Sequence, residues 1–132
     1  MNASSEDIKD MLVADSSLGL TFATNLFIGK EPIKPTNCVT IFDTYGFAPD
    51  LNLISQGYER PIVSLRVRDI NYMDGFNLAQ EIKDSLHGRS HETWNGTLYT
   101  VIYCSSGPAL LDWDDNGNAR FIINFNLQRR VV

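Results

Sequence analysis

The feature that most restricts the fold of this chain is a strict alternation of apolar and polar residues in two segments. In residues 62–69, aliphatic side chains alternate with polar ones that include Arg66 and Arg68. Residues 119–128 repeat the pattern with aromatic and aliphatic residues at every second position. Because successive side chains of a strand point to opposite faces of a sheet, both segments predict strands with one buried and one polar face. The chain must therefore build a sheet and cover one side of it.

Two other segments place apolar residues three and four positions apart, which is the spacing of an amphipathic helix. The first predicted helix begins at Ser4 or Ser5 and ends near Gly19. The second covers residues 72–87, and Gly88 stands where a left-handed residue would end it. Each helix has one apolar side, so each is expected to pack against the sheet.

Three further runs of β-branched and aromatic residues predict strands at 21–28, 38–43 and 97–104. The order is helix, two strands, a long loop, strand, helix and two strands. This order predicts the α+β class, with two amphipathic helices packed on one face of a mixed, mostly antiparallel sheet of about five strands. The sequence contains no internal repeat and no segment of different composition that would mark a second domain. Residues 1–132 are therefore predicted to form a single domain.

The segment 44–60 lacks both helical and strand periodicity, and it is longer than a compact domain usually spends on a plain connection. It nevertheless carries Phe47, Leu53 and Tyr58, more apolar surface than a purely solvated loop should keep. We expect it to be mobile in a free subunit and to become ordered against a neighbouring subunit or another protein.

The charge of the chain argues against several classes of function. Its 132 residues include 16 acidic and 11 basic ones, for a net charge of -5 at pH 7. Such a chain repels a phosphate backbone, so sequence-specific DNA binding is not expected. No apolar run approaches the roughly 20 residues of a membrane span, and the first residues do not form a secretion signal. We expect neither a membrane-spanning protein nor one exported by that route.

The two cysteines, Cys38 and Cys104, both lie inside apolar runs that predict strands. Such cysteines usually serve as small buried hydrophobic residues. We therefore expect free thiols rather than a disulfide bond.

Patterns that imitate metal or catalytic sites each lack a necessary part. Residues 112–117 match the start of an EF-hand calcium loop, but its twelfth position is Ile123, where a bidentate glutamate is required. His87 and His91 are four residues apart, but Gly88 interrupts the helix that would place both on one side. The serines after Cys104 lack the strand, turn and helix that expose a nucleophile. We expect a polar hairpin turn at 112–117, no metal, no cofactor and no catalytic residue.

The polar residues of the alternating strands allow two interpretations. Arg66 and Arg68 lie on one strand, and Asn124 and Asn126 lie on the other. A solvated face is common in antiparallel sheets. A wet subunit interface is the alternative, since arginine is enriched and lysine depleted at such surfaces. The residues alone leave both open.

Several segments follow one another in a recognisable order. They are Asp-Thr-Tyr-Gly-Phe-Ala-Pro at 43–49, Arg-Pro-Ile-Val-Ser-Leu-Arg-Val-Arg at 60–68, Ala-Gln-Glu-Ile-Lys-Asp-Ser-Leu-His-Gly at 79–88, Gly-Pro at 107–108, Asp-Asp-Asn-Gly at 114–117 and Phe-Ile-Ile-Asn-Phe at 121–125. In order, spacing and total length they resemble the minor capsid or tail-terminator proteins of long-tailed bacteriophages. The resemblance spans residues 26–127.

This resemblance implies a structural virion protein without enzymatic activity, assembled in the cytoplasm of the bacterial host. Such a protein closes the end of the tail tube as a six-membered ring and presents that ring to the head-completion proteins at the neck. The implied partners are further copies of the chain, the major tail tube protein and head-completion or connector proteins. DNA would pass through the ring without specific binding, which fits the acidic balance. Another neck or minor capsid protein is the alternative, and a small enzyme or ligand-binding domain is a more distant one.

Contacts within the ring or with the tube are then expected from the polar strand faces and from the segment 44–60. The candidates are Asp43, Tyr45, Phe47, Leu53, Tyr58, Arg60, Arg66, Arg68, Asn124 and Asn126.

Overall fold

A computed structural model of the chain describes residues 1–47 and 57–132. These residues form two α-helices and one mixed sheet of six strands. The elements are α1 (Ser4–Ala14), β1 (Leu26–Ile28), β2 (Cys38–Phe47), β3 (Arg60–Asp69), α2 (Tyr72–Leu86), β4 (Glu92–Trp94), β5 (Thr97–Trp113) and β6 (Ala119–Val131). The strands lie in the order β1-β2-β3-β6-β5-β4, where β1 is parallel to β2 and the other neighbours are antiparallel. The predicted α+β class is confirmed.

Both helices pack on the same face of the sheet, which we call the helix-covered face. Its core contains residues from α1, from α2 and from the odd-numbered positions of β3 and β6. In β6, Phe121, Ile123 and Phe125 are completely buried, while the residues between them are half-buried. The predicted alternation in both strands is confirmed. Neither of the two helices described lies on the opposite side of the sheet, which we call the open face.

Helix α1 takes its N-terminal cap from the sheet. Its own capping position is Ala3, which has no side-chain oxygen to offer the first N–H groups. The Asp43 carboxylate on β2 replaces it and accepts hydrogen bonds from the Ser5 N–H (3.0 Å) and the Ser5 hydroxyl (2.6 Å). A carboxylate at this helix end is favourable because the end carries unpaired donors and partial positive charge.

Helix α2 begins with an ordinary cap, the Asn71 side chain, which accepts from the Asp74 N–H at 3.1 Å. Near its start, Gly75 lets the helix approach β6 closely. A Cβ atom at Gly75 would lie 2.9 Å from the Phe121 ring, so only glycine fits without a shift. The helix ends at Leu86, and Gly88 follows with φ of 90°, as the predicted left-handed ending requires. No helix in the described part of the chain is long and apolar enough to cross a membrane.

A polar cluster is buried where β5 and β6 meet α1. The Tyr99 hydroxyl donates a hydrogen bond to Asp7, and the Asn95 amide donates to the same carboxylate at 2.7 Å. Arg129 donates to the Tyr99 oxygen at 3.3 Å and forms an ion pair with Glu59 at 3.2 Å. Burial, reinforced by the adjacent Asp7 carboxylate, raises the pKa of Tyr99. The cluster joins the first helix to the last strand.

Helix α1 ends at Ala14 rather than near Gly19, and three further features of the predicted secondary structure also differ. The strand expected at 21–28 is confined to Leu26–Ile28, because the Asn25 side chain folds residues 21–25 into a turn by accepting from the Thr21 N–H at 2.7 Å. Strand β5 continues to Trp113 rather than ending at 104, since bulges accommodate the irregular segment around Gly107. A sixth strand, Glu92–Trp94, pairs with the start of β5. It is only three residues long, too short to show a period in the sequence.

The turn at 112–117 is the expected hairpin between β5 and β6. Asp114 and Asn118 close a three-residue loop by a hydrogen bond of 2.9 Å, and Gly117 has the left-handed φ of 78° that this loop type requires. The Asp114 carboxylate accepts from the N–H groups of Asn116 and Asn118 and from the Asn118 amide. These bonds hold the pKa of Asp114 below its usual value. That the turn binds no metal stays a prediction.

The segment expected to be a loop at 44–60 is in part an extension of the sheet. Residues 44–47 continue β2, and Arg60 begins β3. Residues 48–56, which include Leu53, lie outside the described residues, so the expected mobility of this segment and its ordering on assembly stay predictions. Both cysteines are free thiols as expected, with Cys38 buried and Cys104 half-buried.

Candidate interaction surface

The open face forms a shallow groove of about 630 Å³ across β2, β3, β6 and β5. Its lining residues are Phe42, Asp43, Thr44, Ile62, Ser64, Arg66, Ser105, Ile122, Asn124 and Asn126. Four of the ten sequence-predicted contact residues line this groove: Asp43, Arg66, Asn124 and Asn126. Arg66, Asn124 and Asn126 lie on the open face, whereas Asp43 pairs with Val63 and directs its carboxylate to α1 on the helix-covered face. The register explains the grouping, because Phe42 pairs with Ser64 and Ser64 pairs with Asn124 across three adjacent strands.

Arg66 lines this groove. Its guanidinium lies over the Phe42 ring, 4.8 Å from the ring centroid, a cation–π contact that helps to hold the side chain in place. Its Nε is buried and has no hydrogen-bond partner. The half-buried Arg66 guanidinium can donate hydrogen bonds to a carboxylate or carbonyl oxygen from outside the chain.

Arg68, two residues further along β3, is used within its own chain. It is buried and donates to the carbonyl oxygens of Thr36 (2.8 Å) and Pro35 (3.0 Å), and further donor bonds reach Pro32 and Ile33. These bonds fasten the loop between β1 and β2 onto one end of the open face. The structure thus gives Arg68 a structural role, and its predicted contact with a neighbouring subunit stays a prediction.

The Arg68 side chain also begins a row of alternating charges. It pairs with Glu31 at 2.9 Å, the same carboxylate oxygen lies 3.3 Å from Arg120, and Arg120 pairs in turn with Asp112. The Arg120 guanidinium holds the pKa of Asp112 below its usual value, and Asp112 raises the pKa of Arg120. Sequence reasoning missed this row because Glu31 lies in a loop that is 37 positions from Arg68 and 89 positions from Arg120 along the chain.

The two asparagines of β6 use their amide groups to join β6 to β5. Asn124 donates to the Ser106 hydroxyl at 2.8 Å, and Asn126 donates to the Tyr103 hydroxyl at 3.0 Å. Both residues are half-buried on the open face, so they can be reached from outside while they support the sheet.

The remaining predicted contact residues do not form one cluster with Arg66. Asp43 lines the groove, but its carboxylate is committed to the cap of α1. Tyr45 and Phe47 lie at the end of β2, where 98% and 61% of their surface is exposed. Arg60 lines a small cavity with Phe47, and Tyr58 lies under the Arg130 guanidinium at 5.9 Å.

The two histidines are separated by the end of α2. The His87 Nδ1 accepts a hydrogen bond from the Cys104 N–H at 2.9 Å, while His91 lies in the following turn with φ of 54°. The small cavity beside His87 is lined by Lys83, Ser105 and Ser106 as well. We find no carboxylate that orients His87 in the described part of the chain. That the protein has no catalytic or metal site stays a prediction.

Comparison with known proteins agrees with the resemblance stated from the sequence. The family model described as bacteriophage tail terminator protein matches residues 6–131. A search of curated protein sequences finds no match. Among solved structures, a chain from the virion of a native gene transfer agent particle has the same fold, with a TM-score of 0.67 and 12% sequence identity. The match covers 96% of this chain and 94% of the other.

Because the family model spans almost the entire chain, the match is not confined to one motif. It includes both helices, the sheet and the open face. The chain belongs to the bacteriophage tail terminator protein family.

Proposed function

We propose that the protein is a structural component of a phage-type virion and closes the tail tube as a six-membered ring, the form that the resemblance implies. The observation that carries the proposal is the family match over residues 6–131. The similarity of the fold to a chain of a gene transfer agent virion supports it. The protein would act by binding other proteins and would catalyse no reaction.

The open face and the end of β2 are the surfaces we assign to assembly. The open face offers Arg66, Asn124 and Asn126, and the end of β2 offers Tyr45 and Phe47, which are too exposed to contribute to the core. A ring requires two different surfaces on each subunit, because a head-to-tail contact repeats around an axis. The polar groove can serve as one of these two surfaces, and the separate apolar strand end is available to another protein of the particle.

The set of proposed contact residues also includes Asp43, Leu53, Tyr58, Arg60 and Arg68. Their partners would be neighbouring subunits, the major tail tube protein on one side of the ring and head-completion proteins on the other. The ring would lie at the neck of the particle and would be assembled in the host cytoplasm. DNA would cross it without specific binding, and the net charge of -5 is consistent with that.

Electron microscopy of the purified protein, combined with light scattering after size exclusion, tests the ring directly. The expected result is closed rings with a central opening and a mass six times the subunit mass of 14.9 kDa. Incubation with purified tail tubes should then place a ring at one end of each tube. A protein that stays monomeric at every concentration and does not bind tube ends would contradict the proposed function.

A further inference from the structure

In this acidic chain, arginines are concentrated on the open face of the sheet, and exposed carboxylates lie on the outer side of α2. Alternate positions of β3 and β6 place arginines on the open face. They are Arg60, Arg66, Arg68, Arg120 and Arg130. Two carboxylates, Glu31 and Asp112, balance Arg68 and Arg120 by direct ion pairs. The net charge of -5 therefore hides a cationic surface.

Arg66 and Arg130 form no ion pair within the described residues, and Arg66 is the one that lines the groove. Within residues 1–47 and 57–132, no carboxylate lies at ion-pair distance from its guanidinium, and its buried Nε has no acceptor. The Phe42 ring holds the guanidinium in place, so little side-chain freedom is lost when an anion binds. Ser64 and Asn124 line the same groove and supply neutral hydrogen-bonding groups.

The outer side of α2 has the opposite character. Asp74, Asn77, Glu81 and Asp84 follow one another at intervals of three and four residues, and all four are exposed. The described residues provide no ion pair for any of the three carboxylates. Residues three apart on a helix are neighbours about 5–6 Å apart, so Glu81 and Asp84 can both reach one guanidinium.

We propose that the open face of one copy receives the outer side of α2 from a second copy, with Glu81 and Asp84 against Arg66. This inference rests on the proposed ring and names the two surfaces that form it. The contact joins two different surfaces of identical chains, so it is head-to-tail and can close into a ring. It also gives the sheet a helical layer on its bare side, as in other layered α and β architectures.

Charge complementarity within the chain favours a second copy over a nucleic acid. A phosphate backbone is bound by several unpaired cations along a surface. Here Arg68 and Arg120 are already paired with carboxylates, and the outer side of α2 carries exposed carboxylates that would repel phosphate. The groove offers one preoriented guanidinium, which fits a pair of carboxylates on one helix.

Charge reversal in two variants tests the contact. R66E and E81R should each weaken self-association at least about tenfold in sedimentation experiments, because like charges would then face each other across the contact. The matched controls K30E and D115R change the net charge by the same amounts at exposed positions outside the contact, and they should associate like the wild type. Circular dichroism of each variant verifies that it is folded.

Mixing the two variants gives the decisive result. In an alternating assembly, the position-66 glutamate of one variant meets the position-81 arginine of the other, and the second contact keeps its wild-type residues. An equimolar mixture of R66E and E81R should therefore form rings although neither forms them alone. Wild-type rings with unaffected R66E and E81R would overturn this inference and leave the proposed function standing.

The remaining outcomes also decide between the proposals. If each variant fails alone and the mixture also fails, the partner of Arg66 is not α2, and the inference is wrong. If the wild type forms no rings, the proposed function fails first and the inference fails with it. If R66E instead abolishes retention of random-sequence double-stranded DNA that K30E retains, the open face is a phosphate-binding surface and not a contact between copies.

Discussion

The two faces of the sheet are built from alternate residues of the same strands, yet different forces maintain them. Along β6, Phe121, Ile123 and Phe125 are buried under the helices, and their contribution is apolar area removed from water. On the open face, Asn124 and Asn126 join strands by specific hydrogen bonds. The helix-covered face is therefore stabilised by the amount of apolar area it buries, and the open face by hydrogen bonds between particular pairs of atoms.

Each face also contains an exception that limits this contrast. The helix-covered face includes the buried cluster of Asp7, Tyr99 and Arg129. The open face includes Arg68, which is buried and holds the loop between β1 and β2 by hydrogen bonds to its carbonyl oxygens. Stability measurements can test this contrast on four kinds of residue. They are the buried apolar residues, the asparagines of the open face, the buried polar cluster and Arg68.

The largest effect is expected at Phe121, whose ring contacts Tyr72 and Phe76 at centroid distances of 5.0 and 5.9 Å. F121A should lower the free energy of unfolding by about 3–5 kcal/mol, because it removes a fully buried ring and leaves a cavity. The matched variant N124A, on the other side of the same strand, should lose about 1 kcal/mol. Urea denaturation measures both, and equal losses would remove the energetic difference between the faces.

The next effect tests the exception on the open face. R68A should lower the free energy of unfolding by about 3 kcal/mol, since it removes one of the two arginines that pair with Glu31 and leaves several loop carbonyls without their donor. Limited proteolysis should then cleave at 29–37 before any other described segment. R66A removes a cation from the same strand face without a buried ion pair and should cost less than about 1 kcal/mol. Resistance of this loop to protease in R68A would refute its dependence on Arg68.

A smaller effect is expected from the polar cluster on the helix-covered face. Y99F should lower the free energy of unfolding by about 1–2 kcal/mol, because the Asp7 carboxylate loses a buried donor. Burial raises the pKa of Tyr99 above its ordinary 10.0, so the unfolded chain ionises first. Wild-type stability should therefore be complete below pH 10 and fall as the pH rises above it. Y99F should show a weaker fall between about pH 9 and pH 11 when the free energy of unfolding is measured by denaturation at each pH.

The smallest effect concerns the exposed end of the charge row. Arg120 lowers the pKa of Asp112 below its ordinary 3.8, so this carboxylate stabilises the fold above that pH and loses its contribution as the pH falls further. D112N should flatten the acid limb of the stability curve while changing stability near neutral pH only slightly, as expected for a partly exposed ion pair. D115N, at the exposed tip of the same hairpin, is the control. An identical acid limb in wild type and D112N would show that the pair is screened by solvent.

Helices and strands whose pattern arises from the burial of their own residues were predicted well. Elements that depend on a neighbouring strand were not. The alternation in β3 and β6 and the spacing in α2 follow from burial of each side chain, so they could be read along the chain. The short strand Glu92–Trp94 and the extension of β5 depend on which strand lies alongside, which no local pattern records. The turn at residues 21–25 depends on the single Asn25 side chain.

The candidate surface was predictable only in part for the same reason. Arg66, Asn124 and Asn126 were found because they alternate with core residues, and they do share one groove. That Arg68 is buried could not be foreseen, since its partners lie in a loop more than 30 residues away. Asp43 was selected as a surface residue, and its commitment to α1 depends on the packing of a helix against β2.

The borrowed cap of α1 also bears on the order in which the molecule is completed. Asp43 and Ser5 are 38 positions apart, so during translation α1 lacks its capping carboxylate until β2 has been synthesised. An isolated helix of this length is marginal in water. The amino-terminal segment is therefore an early product of translation and a late element of the native structure.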